Sequence, residues 1–147
     1  MGKMSWWKIV LSLVLLVIVA QVIHTGEAML TMKYYIDPAR AAIWSKIMCP
    51  NAGPPPTSFY YYSLALSLVS WFLFMLVYAI VRPSVPGVNG WQKGAMYGLL
   101  IWLVAGLPGM LSMLLLVNLP WKLVAVWIAS MLIIDLVNGA INAAINK

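Results

Sequence analysis

Charge is what this sequence has least of. Only 8% of its 147 residues are Asp, Glu, Lys or Arg, while 64% are apolar. A water-soluble domain carries about 25% charged residues and stays under about 50% apolar ones. The shortage excludes an ordinary soluble domain and makes lipid the solvent for most of the surface. Acids are the scarcest charge. There are three, Glu27, Asp37 and Asp135, beside one histidine, His24, and one cysteine, Cys49. One cysteine cannot close an intrachain disulfide. One His and one Cys cannot build a closed zinc site. No Gly-rich phosphate loop, nucleophile elbow or paired-His motif is present, so the expectation is no enzyme, no metal and no cofactor. The nine Lys and Arg residues are scattered singly. No run of them forms a nucleic-acid patch, and their places at the ends of apolar stretches fit lipid headgroups.

What is present is length of apolar run. Four segments stand out, at about 6–25, 59–81, 91–117 and 121–145. Each is close to the ~20 residues needed to cross a ~30 Å hydrocarbon core. None alternates with period 2, which argues against a barrel. Helices satisfy their own backbone in lipid. The predicted fold is therefore all-α: an antiparallel bundle of four transmembrane helices in one domain, 1–147. Aromatics mark the ends: Trp6 and Trp7, then Tyr60, Tyr61 and Tyr62 in "SFYYY", then Trp91 and Trp121. Such rings favour the membrane interface. The first segment also fits a secretory signal, with "MGKMSWWK" as its basic start and "GEA" before Met29 as a cleavage site. An intact first span is the reading adopted.

The stretch between the first two spans contains "DPARAAIWSKIM", with Asp37 placed to cap and Pro38 at the first helical position. It predicts a short interfacial helix over about 38–48, with Ile43, Trp44 and Ile47 dipping into lipid. "NAGPPPTS" predicts a stiff extended approach to the second span. Four spans put both termini on one side. Termini inside would give that side Lys3, Lys8, Arg82, Lys93 and Lys147, against Lys33, Arg40, Lys46 and Lys122 on the other. The balance points to cytoplasmic termini.

"SFYYYSLALSLV" and "MYGLLIWLVAGLPGM" resemble stretches of small, uncharacterised four-span prokaryotic membrane proteins. The resemblance implies a bundle in a prokaryotic inner membrane and no particular activity.

Within the apolar runs the polar residues are few and ordered. Asp135, Asn138, Asn142 and Asn146 follow at spacings of 3, 4 and 4, one helical stripe. Asp135 lies ~18 Å along the axis from Lys147 at ~1.5 Å per residue, inside the hydrocarbon. A bare carboxylate there costs roughly 2.5–3.5 kcal/mol on insertion scales. The same rise puts Gln21 and His24 ~20 and ~24 Å above Lys8, and Ser67 and Ser70 ~22 and ~18 Å above Arg82. It puts Pro108 ~24 Å above Gln92. These residues form one polar layer, beside a helix break at Gly106, Pro108 and Gly109. A kink is predicted there, with a broken hydrogen bond near Val104. Asp135 is predicted to bond Gln21, His24, Ser67 or Ser70. Gly94, Gly98, Ala105 and Gly109 make a small-residue stripe for close packing, within the chain or between chains. His24 is expected to pair with Glu27. The cluster with Met29, Met32, Met48 and Cys49 has donors that suit copper but no firm ligand spacing.

The layer has three readings: a clasp that ties helices together, a permeation or proton pathway, and a recognition site for lipid or another helix. The first expectation for function is a non-catalytic membrane protein working through helix contacts, as an accessory subunit or with copies of itself. The alternative is a small permease or channel past Asp135. A membrane enzyme acting on lipid or quinone is third. The partners expected are membrane lipid, other subunits or self, and no nucleic acid.

Overall fold

A computed structural model describes residues 5–49 and 54–146. Lys3 and Lys147, counted above for orientation, and residues 50–53 of the stiff linker lie outside this range. The described residues are all-helical with no strand. The helices are α1 (Trp6–Tyr35), α2 (Thr57–Val81), α3 (Gly90–Ile101), α4 (Leu107–Leu116) and α5 (Trp121–Ile145). A π-helical turn, Trp102–Gly106, joins α3 to α4 into one rod. Four helical rods are thus long and apolar enough to cross a membrane.

Three boundaries differ from expectation for local reasons. α1 runs to Tyr35, ten residues beyond the expected end at Thr25. The residues after Gly26 are mostly good helix formers, and one glycine costs only about 1 kcal/mol. Asp37-Pro38 stops the helix, because the residue before proline is driven out of the α region. The predicted interfacial helix over 38–48 is instead a 3₁₀ turn at Pro38–Ile43, after which the chain leaves helical geometry at Trp44. Asp37 caps it as expected, accepting from the Ala39 N–H at 3.0 Å. The Trp44 ring packs on the protein itself, 4.9 Å from Tyr35 and 6.4 Å from Trp127. The third difference is at the helix break. The helix widens there. The Leu107 N–H reaches back five residues to the Trp102 carbonyl. Pro108 has no N–H and its ring crowds the carbonyl of residue 104. One π turn accommodates both defects without leaving a helix end in hydrocarbon.

The tightest packing is the crossing of α3 and α5. A Cβ added to Gly94 would collide with the Gly139 carbonyl, and one on Gly98 with the Asp135 carbonyl. The Gly94–Gly98 pair is thus spent inside the chain. Ala105 and Gly109, expected in the same stripe, are exposed, because the π turn rotates them away from α5. α1 packs along both α5 and α2. On α2 every buried residue, Trp71, Phe74, Met75 and Tyr78, falls in the second half. There the rings of Phe74 and Tyr97 sit 4.6 Å apart and the Tyr97 hydroxyl donates to the Phe74 carbonyl at 2.8 Å. The connection from α2 to α3 turns at Gly87, whose φ of +148° favours glycine.

Candidate functional site

α2 meets α3 only through its second half, so its first half splays away from the α3–α4 rod. A cleft of about 1200 Å³ opens between them, with α1 and α5 as its floor. Its wall runs from Tyr97 to Ser45 and Phe59. Most of its wall is apolar, as lipid exposure demands. Its polar side chains include His24 and Glu27 of α1, Ser63, Ser67 and Ser70 of α2, and Asp135 of α5, with Ser45 of the linker also on the wall.

The predicted layer divides in two. One part is a clasp. The Gln21 amide donates to Ser67 at 2.9 Å and to Ser63 at 3.4 Å, tying the loose half of α2 to α1. Asn138 donates to the Leu16 carbonyl at 3.1 Å. Asn146 donates to Ser12 and to Asn142, both at 2.8 Å. Arg82 at the end of α2 reaches the Asn146 carbonyl at 2.9 Å. The asparagine stripe therefore faces α1, as the cost of burying amides in an apolar medium requires.

The other part is Asp135. It is buried, with 7% of its surface exposed, and it faces protein as expected. The expected bond to Gln21, His24, Ser67 or Ser70 is absent; no side-chain hydrogen bond or ion pair of Asp135 is found among the described residues. Counting along helices places residues at one depth but does not say which way they turn. Gln21 turns toward α2. His24 turns to Glu27, with Nδ1 3.3 Å from its carboxylate. Ser70 is exposed on the cleft wall. Asp135 is left pointing into the cleft.

Glu27 was read from sequence only as a partner of His24. It is also the acceptor of a 2.7 Å bond from Ser130 of α5, so it links two helices as well as lining the cleft. Ser130 and Ser12 went unnoticed because a lone serine in an apolar helix carries no spacing signal. Ser12 sits four residues before Leu16 and eight before Ala20, all fully buried, and that small stripe is the mark that could have found it. Toward the linker end Trp127 donates to the Tyr35 hydroxyl at 3.1 Å. In the linker, the Arg40 guanidinium at 2.8 Å and the Ala39 N–H hold the Asp37 carboxyl below the usual carboxylate range. Burial pushes the Cys49 thiol up. Among the described residues no three His, Cys, Asp or Glu side chains group to hold a metal ion.

Comparison with known proteins found no matching family model, no matching curated protein and no matching solved structure.

Proposed function

We propose that this chain is a non-catalytic integral membrane protein that binds a membrane-borne ligand in the cleft, in the manner of a small permease. The carrying observation is Asp135, buried, without a hydrogen-bond partner among the described residues, and facing a space of about 1200 Å³. Gln21, Asn138 and Asn146 each spend at least one polar atom on another helix, even where Asn138 and Asn146 leave Oδ1 unpaired, whereas neither Asp135 side-chain oxygen reaches another helix. This favours the reading that the sequence ranked second over a pure helix-contact role. On this reading the four rods span a prokaryotic inner membrane with cytoplasmic termini, and the clasp serves the fold.

The helix-contact role keeps one observation. α4 has no buried residue at all, and another subunit or a second copy would cover it. Native mass spectrometry from mild detergent separates the two. Ala105 is exposed on the cleft wall, so Ala105→Trp fills the cleft without touching the core. The expected result is a small molecule bound to the parent and lost from Ala105→Trp. A protein adduct retained by both forms supports the subunit role instead, and a bare chain in both rejects the cleft.

A further inference from the structure

The cleft has a sign. The chain as a whole carries a net charge of +6. Yet among the described residues no Lys or Arg lines the cleft, while two of the three acids, Glu27 and Asp135, do. The basic group that lines it is His24, whose Nδ1 already faces the Glu27 carboxylate at 3.3 Å, so an entering anion would meet two acids and an engaged imidazole. A wholly apolar lipid tail would leave Asp135 without a partner in a medium where that is costly. A metal ion would lack ligands, since no group of three donors is present among the described residues.

Aromatic faces complete the picture. Trp71 and Phe74 have ring centroids 5.1 Å apart, and Phe74 and Tyr97 4.6 Å, so three largely buried rings form one run in the cleft wall. Tyr97 immediately precedes Gly98, which lies against the Asp135 carbonyl. The ring run and the carboxylate are therefore neighbours. Ring faces attract a poorly hydrated cation, most strongly once water is removed. Depth selects the source of that cation. Asp135 is ten residues from the end of α5, ~15 Å at ~1.5 Å per residue. A phospholipid's amine stays at the headgroup level and does not reach the middle of a span.

We infer that the cleft binds a monovalent organic cation with an apolar body, its charged centre beside Asp135 and its body against the Trp71, Phe74 and Tyr97 rings. This rests on the cleft reading above and names its ligand class. Glu27 is already engaged by Ser130 and His24, so it contributes field and Asp135 contributes contact.

The test uses two ions of one shape and opposite sign. Tetraphenylphosphonium and tetraphenylborate are titrated into the full chain in phosphatidylcholine nanodiscs, and binding is followed by tryptophan fluorescence and equilibrium dialysis. The chain's own positive charge favours the borate, so selectivity for the phosphonium would have to come from the cleft. The expected result is saturable binding of the phosphonium only. Asp135→Asn should weaken it by roughly tenfold or more, the size of losing one contact to a charged group. Equal saturation by both ions overturns the inference, and so does phosphonium affinity unchanged in Asp135→Asn. If that variant does not fold, the comparison of the two ions on the parent chain decides alone. A native mass spectrum showing a bound neutral molecule, with no saturable phosphonium binding, overturns this inference and leaves the cleft reading standing.

Discussion

Asn146 shows how much one side chain near the end of a span can hold. Its amide donates to Ser12 and Asn142, and its carbonyl accepts from Arg82, so α1, α2 and α5 meet there. Asn146→Ala removes the two amide bonds and spares the carbonyl. Hydrogen bonds between membrane helices are worth about 0.6–1.7 kcal/mol each. The variant should therefore unfold earlier by about 1–3 kcal/mol on that basis, read by denaturing-detergent titration in mixed micelles. At the other end, Asp37 and Arg40 supply the pH-dependent pair. A carboxyl depressed in the folded state stabilises above its unfolded value, and that contribution is lost as pH falls through the folded value. The pair is exposed, so the effect on stability is small. The direct readout is the Asp37 carboxyl titration by NMR, which should move to higher pH in Arg40→Ala. The depth of each polar residue was legible from sequence, because it needs only the rise per residue. Gln21 and Ser67, placed in one layer by that count, do bond each other, a pair the sequence did not single out. The orientation of Asp135 was not, because rotation depends on which neighbour each helix meets.

Pro108 illustrates the same limit for an element. The sequence announces a defect between α3 and α4, but a kink and a π turn answer it equally well until α5 is in place. α5 decides, because Trp102 at the start of the turn donates to the Ile128 carbonyl at 3.1 Å. An extra residue in one turn rotates all that follows by about 100° relative to an unbroken α-helix. This is why Ala105 and Gly109 left the small-residue stripe. In Pro108→Ala the missing N–H returns and the ring clash goes, so the rod should revert to α geometry. The expected outcome is that a cysteine placed at Met110, on the cleft wall in the parent, becomes less reactive to a membrane-permeant maleimide once Pro108→Ala is added. Unchanged labelling would mean that Trp102, not Pro108, maintains the turn. The long tail of α1 was missed for another reason. Hydropathy marks where lipid ends, and a helix continues past that point until Asp37-Pro38 stops it.

For the molecule as a whole, the architecture depends on α5. The four long apolar helices were legible from run length alone. Their arrangement was not, since apolar faces in lipid lack the amphipathic pattern that orients helices in water. The crossing at Gly94, Gly98 and Gly139 determines how α3 sits, and it admits no side chain. Gly98→Leu should separate the α3–α4 rod from α5. The expected loss is at least the 1–3 kcal/mol typical of overpacking, seen as a lower melting temperature and polydisperse elution. Gly109→Leu, in open space, should leave both unchanged.

One consequence concerns biogenesis. The partners of Ser12, Leu16 and Glu27 all lie on α5, more than a hundred residues later in the chain. While α1, α2 and α3 leave the ribosome, the carboxylate of Glu27 has only His24 beside it. A nascent chain halted before α5 is therefore a partly packed protein with an unsettled acid in its first helix. Such a chain should be the form that membrane quality-control proteases recognise and remove, whereas the chain that has received α5 should be spared.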